Sequence, residues 1–132
     1  MNEKNYKKVI LVQMIFQEFE KLYLQQYTVQ EKRAMCIFFM EAAHADNKIH
    51  PKEVEVINEI FSVINITKAD LDASQSIPMN SALDLLSRMS EIKRIYFGKC
   101  LANIIIADGN ISPEENELWN IVNSRVKCEA PD

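Results

Sequence analysis

The sequence predicts an all-α protein: a single compact helical domain of about seven helices with two pseudo-symmetric helix-loop-helix halves. Three observations lead there. Of the 132 residues 48% are apolar, while only two are Gly and four are Pro; that balance suits packed helices and not a sandwich, a barrel or a disordered tail. Apolar side chains recur at three- and four-residue steps in every clearly patterned segment. One phrase is also written twice, as Ala45-Asp46-Asn47-Lys48-Ile49-His50-Pro51-Lys52-Glu53 and as Ala107-Asp108-Gly109-Asn110-Ile111-Ser112-Pro113-Glu114-Glu115. The match continues, with Glu55 and Asn58 answered by Glu117 and Asn120. Such self-similarity marks two related supersecondary units.

The elements follow in order. Val9, Val12, Ile15, Phe16, Phe19, Leu22 and Tyr23 form one stripe, so a first helix is expected from about Asn5 to Leu24. Thr28-Val29-Gln30-Glu31 is a capping-box sequence and opens a second helix. That helix is apolar nearly all round and is expected to be central. Pro51 sits where a helix tolerates proline, at its first position, and starts a third helix reaching about Ile64. Thr67-Lys68-Ala69-Asp70 opens a short fourth, and a fifth covers roughly Asn80 to Arg88. Ser90 caps a sixth, apolar on most faces, whose run Ile104-Ile105-Ile106 reads as helix because helical spacing precedes it. Ser112-Pro113-Glu114-Glu115 opens the last helix, which ends near Val126. No linker or low-complexity stretch divides the chain, so residues 1–132 are read as one domain. Its N-terminal helix is 5–24 and its repeat halves are about 28–66 and 90–128.

Composition narrows the function. A formal net charge of −4 argues against a general nucleic-acid binder, which needs a basic surface to neutralise phosphates. The start Lys7-Lys8-Val9-Ile10-Leu11-Val12 fails as a targeting signal because Gln13, Gln17, Glu18 and Glu20 interrupt it. No stretch approaches the ~20 apolar residues of a membrane span. Cys36, Cys100 and Cys128 are odd in number, far apart and form no C-x-x-C pair; Cys36 and Cys100 lie within apolar helices and read as small core side chains in a reducing compartment. A cytoplasmic protein is expected.

Much of the repeated phrase has a structural account. Gly109 and Asn47 fall where a helix end adopts the left-handed conformation. Ser112 suits the N-cap of the next helix and His50 suits it less well. Glu53 and Glu115 fall at the third helical position, where a carboxylate reaches back to the cap amide and meets the positive end of the helix dipole. Asp46 and Asp108 are different. Each lies at the negative end of the preceding helix, where an anion is disfavoured by ~0.3–1 kcal/mol. An Asx-type bond to the amide two residues on is one compensation; a cation is another. If the two loops converge, Asp46, Glu53, Asp108 and Glu115 form one acidic cluster of the oxygen-ligand type that suits Mg²⁺ or Ca²⁺.

An EF-hand is excluded. Placing Asp108 at the fifth loop position puts Ile104 and Ile106 at the first and third, where neither offers a side-chain oxygen, and in the first copy these positions fall on Ala42 and His44. Glu41-x-x-His44 matches the step used in di-iron bundles, but the matching second positions are Asn103 and Ile106. Zinc from His44, Asp46, His50 and Glu53 fits by ligand type. Nucleophilic catalysis has little support: no cysteine has a neighbouring histidine, and there is no G-x-S-x-G or phosphate loop. Trp119 reads as core, or as a partner anchor if it is exposed.

The repeated A-D-[GN]-x-I-x-P-x-E phrase, each copy closing an apolar helix, resembles the TerB-like domains of bacterial tellurite-resistance proteins over roughly Thr28 to Val126. The resemblance implies an all-helical, internally pseudo-symmetric fold with an acidic, metal-binding face. It also implies a role in bacterial stress or tellurite response through protein partners and not through catalysis. Carried over by position, the family's acidic residues fall on Asp46, Glu53, Asp108 and Glu115. This chain departs at Asn47, where glycine is usual, and at His50, which replaces a small polar cap. The expectation is a non-enzymatic module whose acidic loops bind a divalent cation weakly or contact a protein partner. The alternative is a small metal-dependent hydrolase or oxidase using the same cluster.

Overall fold

The computed structural model describes residues 27–45 and 50–129, and among them every regular element is a helix. In chain order these are α1 (Val29–His44), α2 (Pro51–Ile64), α3 (Lys68–Ser74), α4 (Met79–Ser87), α5 (Glu91–Ile106) and α6 (Pro113–Val126). They match six of the seven expected from the sequence. The helix expected over Asn5–Leu24 lies outside the described residues, as does the loop segment 46–49.

The helix starts are set locally. At α1 the Glu31 amide donates to Thr28 Oγ1 at 3.0 Å while the Thr28 amide donates to Glu31 Oε1 at 2.8 Å, a reciprocal capping box. Thr67 and Asp70 repeat the arrangement at α3, and Ser112 and Glu115 repeat it at α6. Proline occupies the first turn of both α2 and α6, where its missing N–H costs nothing. Both helices end in a left-handed residue, Asn65 at φ 64° and Lys127 at φ 59°. α1 and α5 are each 16 residues long, and α2 and α6 are each 14. The boundaries of the second pair follow those of the first at one constant offset, so the repeat extends well beyond the loop phrase.

Packing centres on α1 and α5. Met35, Cys36, Phe38 and Phe39 of α1 are fully buried, as are Phe97, Leu101, Ile104 and Ile105 of α5. Phe97 meets Phe38 edge-on with centroids 6.1 Å apart and Phe39 at 5.6 Å. Around this pair α1 carries α3 and α4, α4 packs on α6, and α2 lies against α5. Polar ties join the elements across the sequence. Arg33 Nε lies 3.1 Å from Asp70 Oδ1, linking α1 to α3. Tyr27 donates from its hydroxyl to the Lys93 carbonyl at 2.8 Å.

The end of α6 is bound to α5 by close approach. Arg94 of α5 donates to the carbonyls of Met89 at 3.1 Å and Lys127 at 2.9 Å, and buried Cys128 sits over Gly98. A Cβ added at Gly98 falls 2.5 Å from both Cys128 Cβ and the Cys128 carbonyl oxygen, closer than packed atoms come. Helical propensity alone favours Gly98→Ala by about 1 kcal/mol; here overpacking against backbone outweighs it. We expect Gly98→Ala to destabilise by about 1–3 kcal/mol, read as a lower urea midpoint. A gain in stability would show that segment 127–129 does not hold this position.

Candidate functional site

Packing α2 along α5 brings the start of α2 to the end of α5, and so sets His50 and Glu53 from the first copy of the phrase against Asp108 from the second. His50 is the N-cap of α2, Glu53 its third residue, and Asp108 follows the last turn of α5. His50 Nε2 stands 3.1 Å from Asp108 Oδ2 and 3.7 Å from Glu53 Oε1. One ligand-type atom from each of the three residues lies within 4.8 Å of the others. Glu53 is 1% exposed, whereas the side chains of Asp108 and His50 are 15% and 30% exposed, so the group has a buried floor and an open rim.

Local chemistry explains each placement. The Asn110 amide donates to Asp108 Oδ1 at 3.0 Å. This is the Asx turn expected from sequence, and it offsets the poor electrostatics of an anion at a helix C-terminus. Gly109 takes φ +84° with open space around it, so conformation and not crowding favours glycine there. The Asx bond uses one carboxylate oxygen and leaves the other facing His50. His50 forms no side-chain cap bond to its helix; its imidazole is turned across to the other loop instead. Ser112, at the matching place, caps α6 by accepting from the Glu115 amide at 3.1 Å.

The four acidic residues expected to converge do so in part. Glu53 and Asp108 are brought together. Glu115 is 2% exposed and serves its own capping box, with Oε1 accepting from the Ser112 amide at 2.9 Å. Asp46 lies outside the described residues. Of the zinc set His44, Asp46, His50 and Glu53, the structure brings together His50 and Glu53, which meet Asp108 of the second copy; His44 is not in that group. His44 is exposed and lines a groove of about 420 Å³ with Ile37, Met40, Leu71, Ile77 and Met79. The reason is orientation. His44 ends α1, while His50 and Glu53 belong to the first turn of α2, which faces α5.

His50 is the site residue that the acidic pattern passed over. Its signal was a weak N-capping residue standing where the second copy has Ser112. Trp119 is 1% exposed and therefore core, not a partner anchor; its Nε1 has no acceptor among the described residues. Burial pushes the thiols of Cys36, Cys100 and Cys128 up to about 12, which makes them poor nucleophiles at neutral pH. Lys99, hidden in a helix that reads as apolar, is 2% exposed; burial pulls its ammonium down to about 8, and its Nζ stands 3.9 Å from the centroid of the Tyr96 ring. Among the described residues no helix is long and apolar enough to cross a membrane.

No protein-family model and no curated protein matches this chain. Among solved structures the chain is similar to a protein of unknown function, PG1108 from Porphyromonas gingivalis W83. The TM-score is 0.65 and the identity 28%, over 80% of this chain and 83% of that one. That likeness agrees with the all-helical architecture and brings no activity with it.

Proposed function

We propose that this protein is a non-enzymatic, TerB-like helical module of the bacterial cytosol, acting in stress or tellurite response. Its paired loops bind a divalent cation weakly or contact a protein partner. The observation that carries the reading is the meeting of His50 and Glu53 of one loop with Asp108 of the other. The buried Glu53 carboxylate beneath the partly open Asp108 carboxylate makes a centre of negative charge that a cation relieves. The constant offset between the two helix pairs marks them as a repeat, and a pseudo-two-fold relation between its halves would bring matching residues of both loops to one face. Tellurite chemistry has no counterpart among these side chains, so the stress role rests on the sequence resemblance alone.

Titration with Ca²⁺, Mg²⁺, Mn²⁺ and Zn²⁺, followed by NMR of the side chains, tests the cation half. Resonances of His50, Glu53 and Asp108 are expected to shift together. The pair Glu53→Gln with Asp108→Asn should weaken binding at least about tenfold. Silence at millimolar metal removes the cation and leaves a partner-binding surface. For that surface, capture of partners by wild type against Asp46→Asn with Asp108→Asn is the measurement, and identical partner sets would take these carboxylates out of the function.

A further inference from the structure

If the loops hold a cation, their ligand set also says which class. A calcium site needs about six to eight oxygens, and magnesium prefers carboxylates and water in octahedral array. The group formed here contains an imidazole nitrogen beside two carboxylates, and imidazole is a ligand for borderline metals such as zinc. Ligand atoms about 2.0–2.1 Å from a tetrahedral zinc stand about 3.3 Å from one another. His50 Nε2 is 3.1 Å from Asp108 Oδ2 and 3.7 Å from Glu53 Oε1, already near that spacing. Two carboxylates with a neutral imidazole balance a doubly charged ion, and three protein ligands leave a fourth position for water on the open rim.

A second observation comes from the cap. A residue at the N-cap ordinarily spends its side chain on the helix, as Ser112 does in the second copy. His50 makes no such bond and directs its ring nitrogen at the other loop's carboxylate. A serine in that place serves the helix; the histidine serves the space between the loops.

We infer that the two loops form a composite three-ligand site, His50 Nε2 with Glu53 and Asp108 carboxylate oxygens, selective for a borderline divalent metal of the zinc class over calcium and magnesium. This inference rests on the cation reading above. His50 is the selectivity-determining ligand, and Glu53 and Asp108 supply the charge.

The test uses the full chain and metals alone. Zn²⁺, Ca²⁺ and Mg²⁺ are titrated by calorimetry, and Co²⁺ is added as a coloured zinc substitute that reports ligand geometry. Wild type is expected to bind one Zn²⁺ at least a hundredfold tighter than Ca²⁺, and its Co²⁺ spectrum should be that of a tetrahedral or five-coordinate nitrogen-oxygen site without thiolate bands. His50→Ser, which restores a capping residue and so keeps the helix start, should cost Zn²⁺ affinity at least tenfold and leave the weak Ca²⁺ affinity unchanged. His44→Asn should change neither. Ca²⁺ or Mg²⁺ binding as tightly as Zn²⁺ would overturn the selectivity and leave the cation reading standing. Zn²⁺ binding that survives His50→Ser, or that gives thiolate bands with Co²⁺, would place the metal elsewhere and overturn the site. Binding of none of the metals would overturn both readings, with His50 then serving only as an ion-pair link between the loops.

Discussion

Phe97→Ala is expected to destabilise the domain by about 3–5 kcal/mol, a large share of the roughly 5–15 kcal/mol that holds a domain together. Phe97 is fully buried and contacts both Phe38 and Phe39 across the seam between α1 and α5. Removing its ring loses the transfer free energy of the buried carbons and opens a cavity between the two central helices. Those helices cannot close over it, because each is held by other elements, α1 by α3 and α4 and α5 by α2 and α6. Two aromatic pairs worth about 0.5–1.5 kcal/mol each beyond their area are lost as well. Urea unfolding followed by circular dichroism measures it; the midpoint should fall with the slope unchanged. A loss under about 1 kcal/mol would mean that the seam repacks and that α1 and α5 are not the rigid centre described here.

The second large effect is alkaline unfolding, and its sign follows from buried groups. Burial holds the thiols of Cys36, Cys100 and Cys128 at about 12, against an ordinary value of 9.0. Above pH 9 the unfolded chain gives up these protons while the folded chain keeps them. Each thiol therefore contributes stability that is present below pH 9 and is withdrawn at up to about 1.4 kcal/mol per pH unit as pH rises toward 12. Tyr27 and Tyr96 act in the same direction from pH 10, since burial raises both. Lys99 opposes them. Its ammonium is held at about 8 by burial, against an ordinary 10.5, so between those values the unfolded chain binds the extra proton and stability rises with pH. Between about pH 8 and 9 the lysine acts alone and stability rises; above pH 9 one lysine against three thiols leaves a net loss, which steepens above about pH 10.5 once the lysine term is spent. Denaturant midpoints under reductant at pH 7.5, 9, 10 and 11 should show this profile. Lys99→Met should be more stable than wild type at pH 7.5 by on the order of 1–3 kcal/mol, with the advantage shrinking by pH 10.5. Stability that stays flat to pH 11 would show that the thiols are not buried in the folded state.

The helices were legible because their signals are local. Thr28 with Glu31, Thr67 with Asp70 and Ser112 with Glu115 are four-residue capping patterns, and Pro51 and Pro113 mark first turns wherever the chain goes next. The Asx turn at Asp108 and the left-handed Gly109 were readable for the same reason, since both depend on two or three neighbouring residues. Lys99 was not. It sits two residues after buried Phe97 and just before buried Cys100, and nothing in a run of letters says which face a lysine takes when the helix is covered on nearly all sides. Trp119 likewise waited on exposure, which is a property of packing.

The repeated phrase shows the division most clearly. By itself the sequence determined that two alike loops exist, that each follows one apolar helix and opens another, and which of their residues serve caps. Those properties come from hydrogen bonds and dihedral preferences a few residues in range. Only the tertiary structure decided that the loops meet, and that the residue joining them is His50 together with Glu53 and Asp108. The contact exists because α2 packs against α5, and that pairing is set by how apolar faces bury one another across the whole domain.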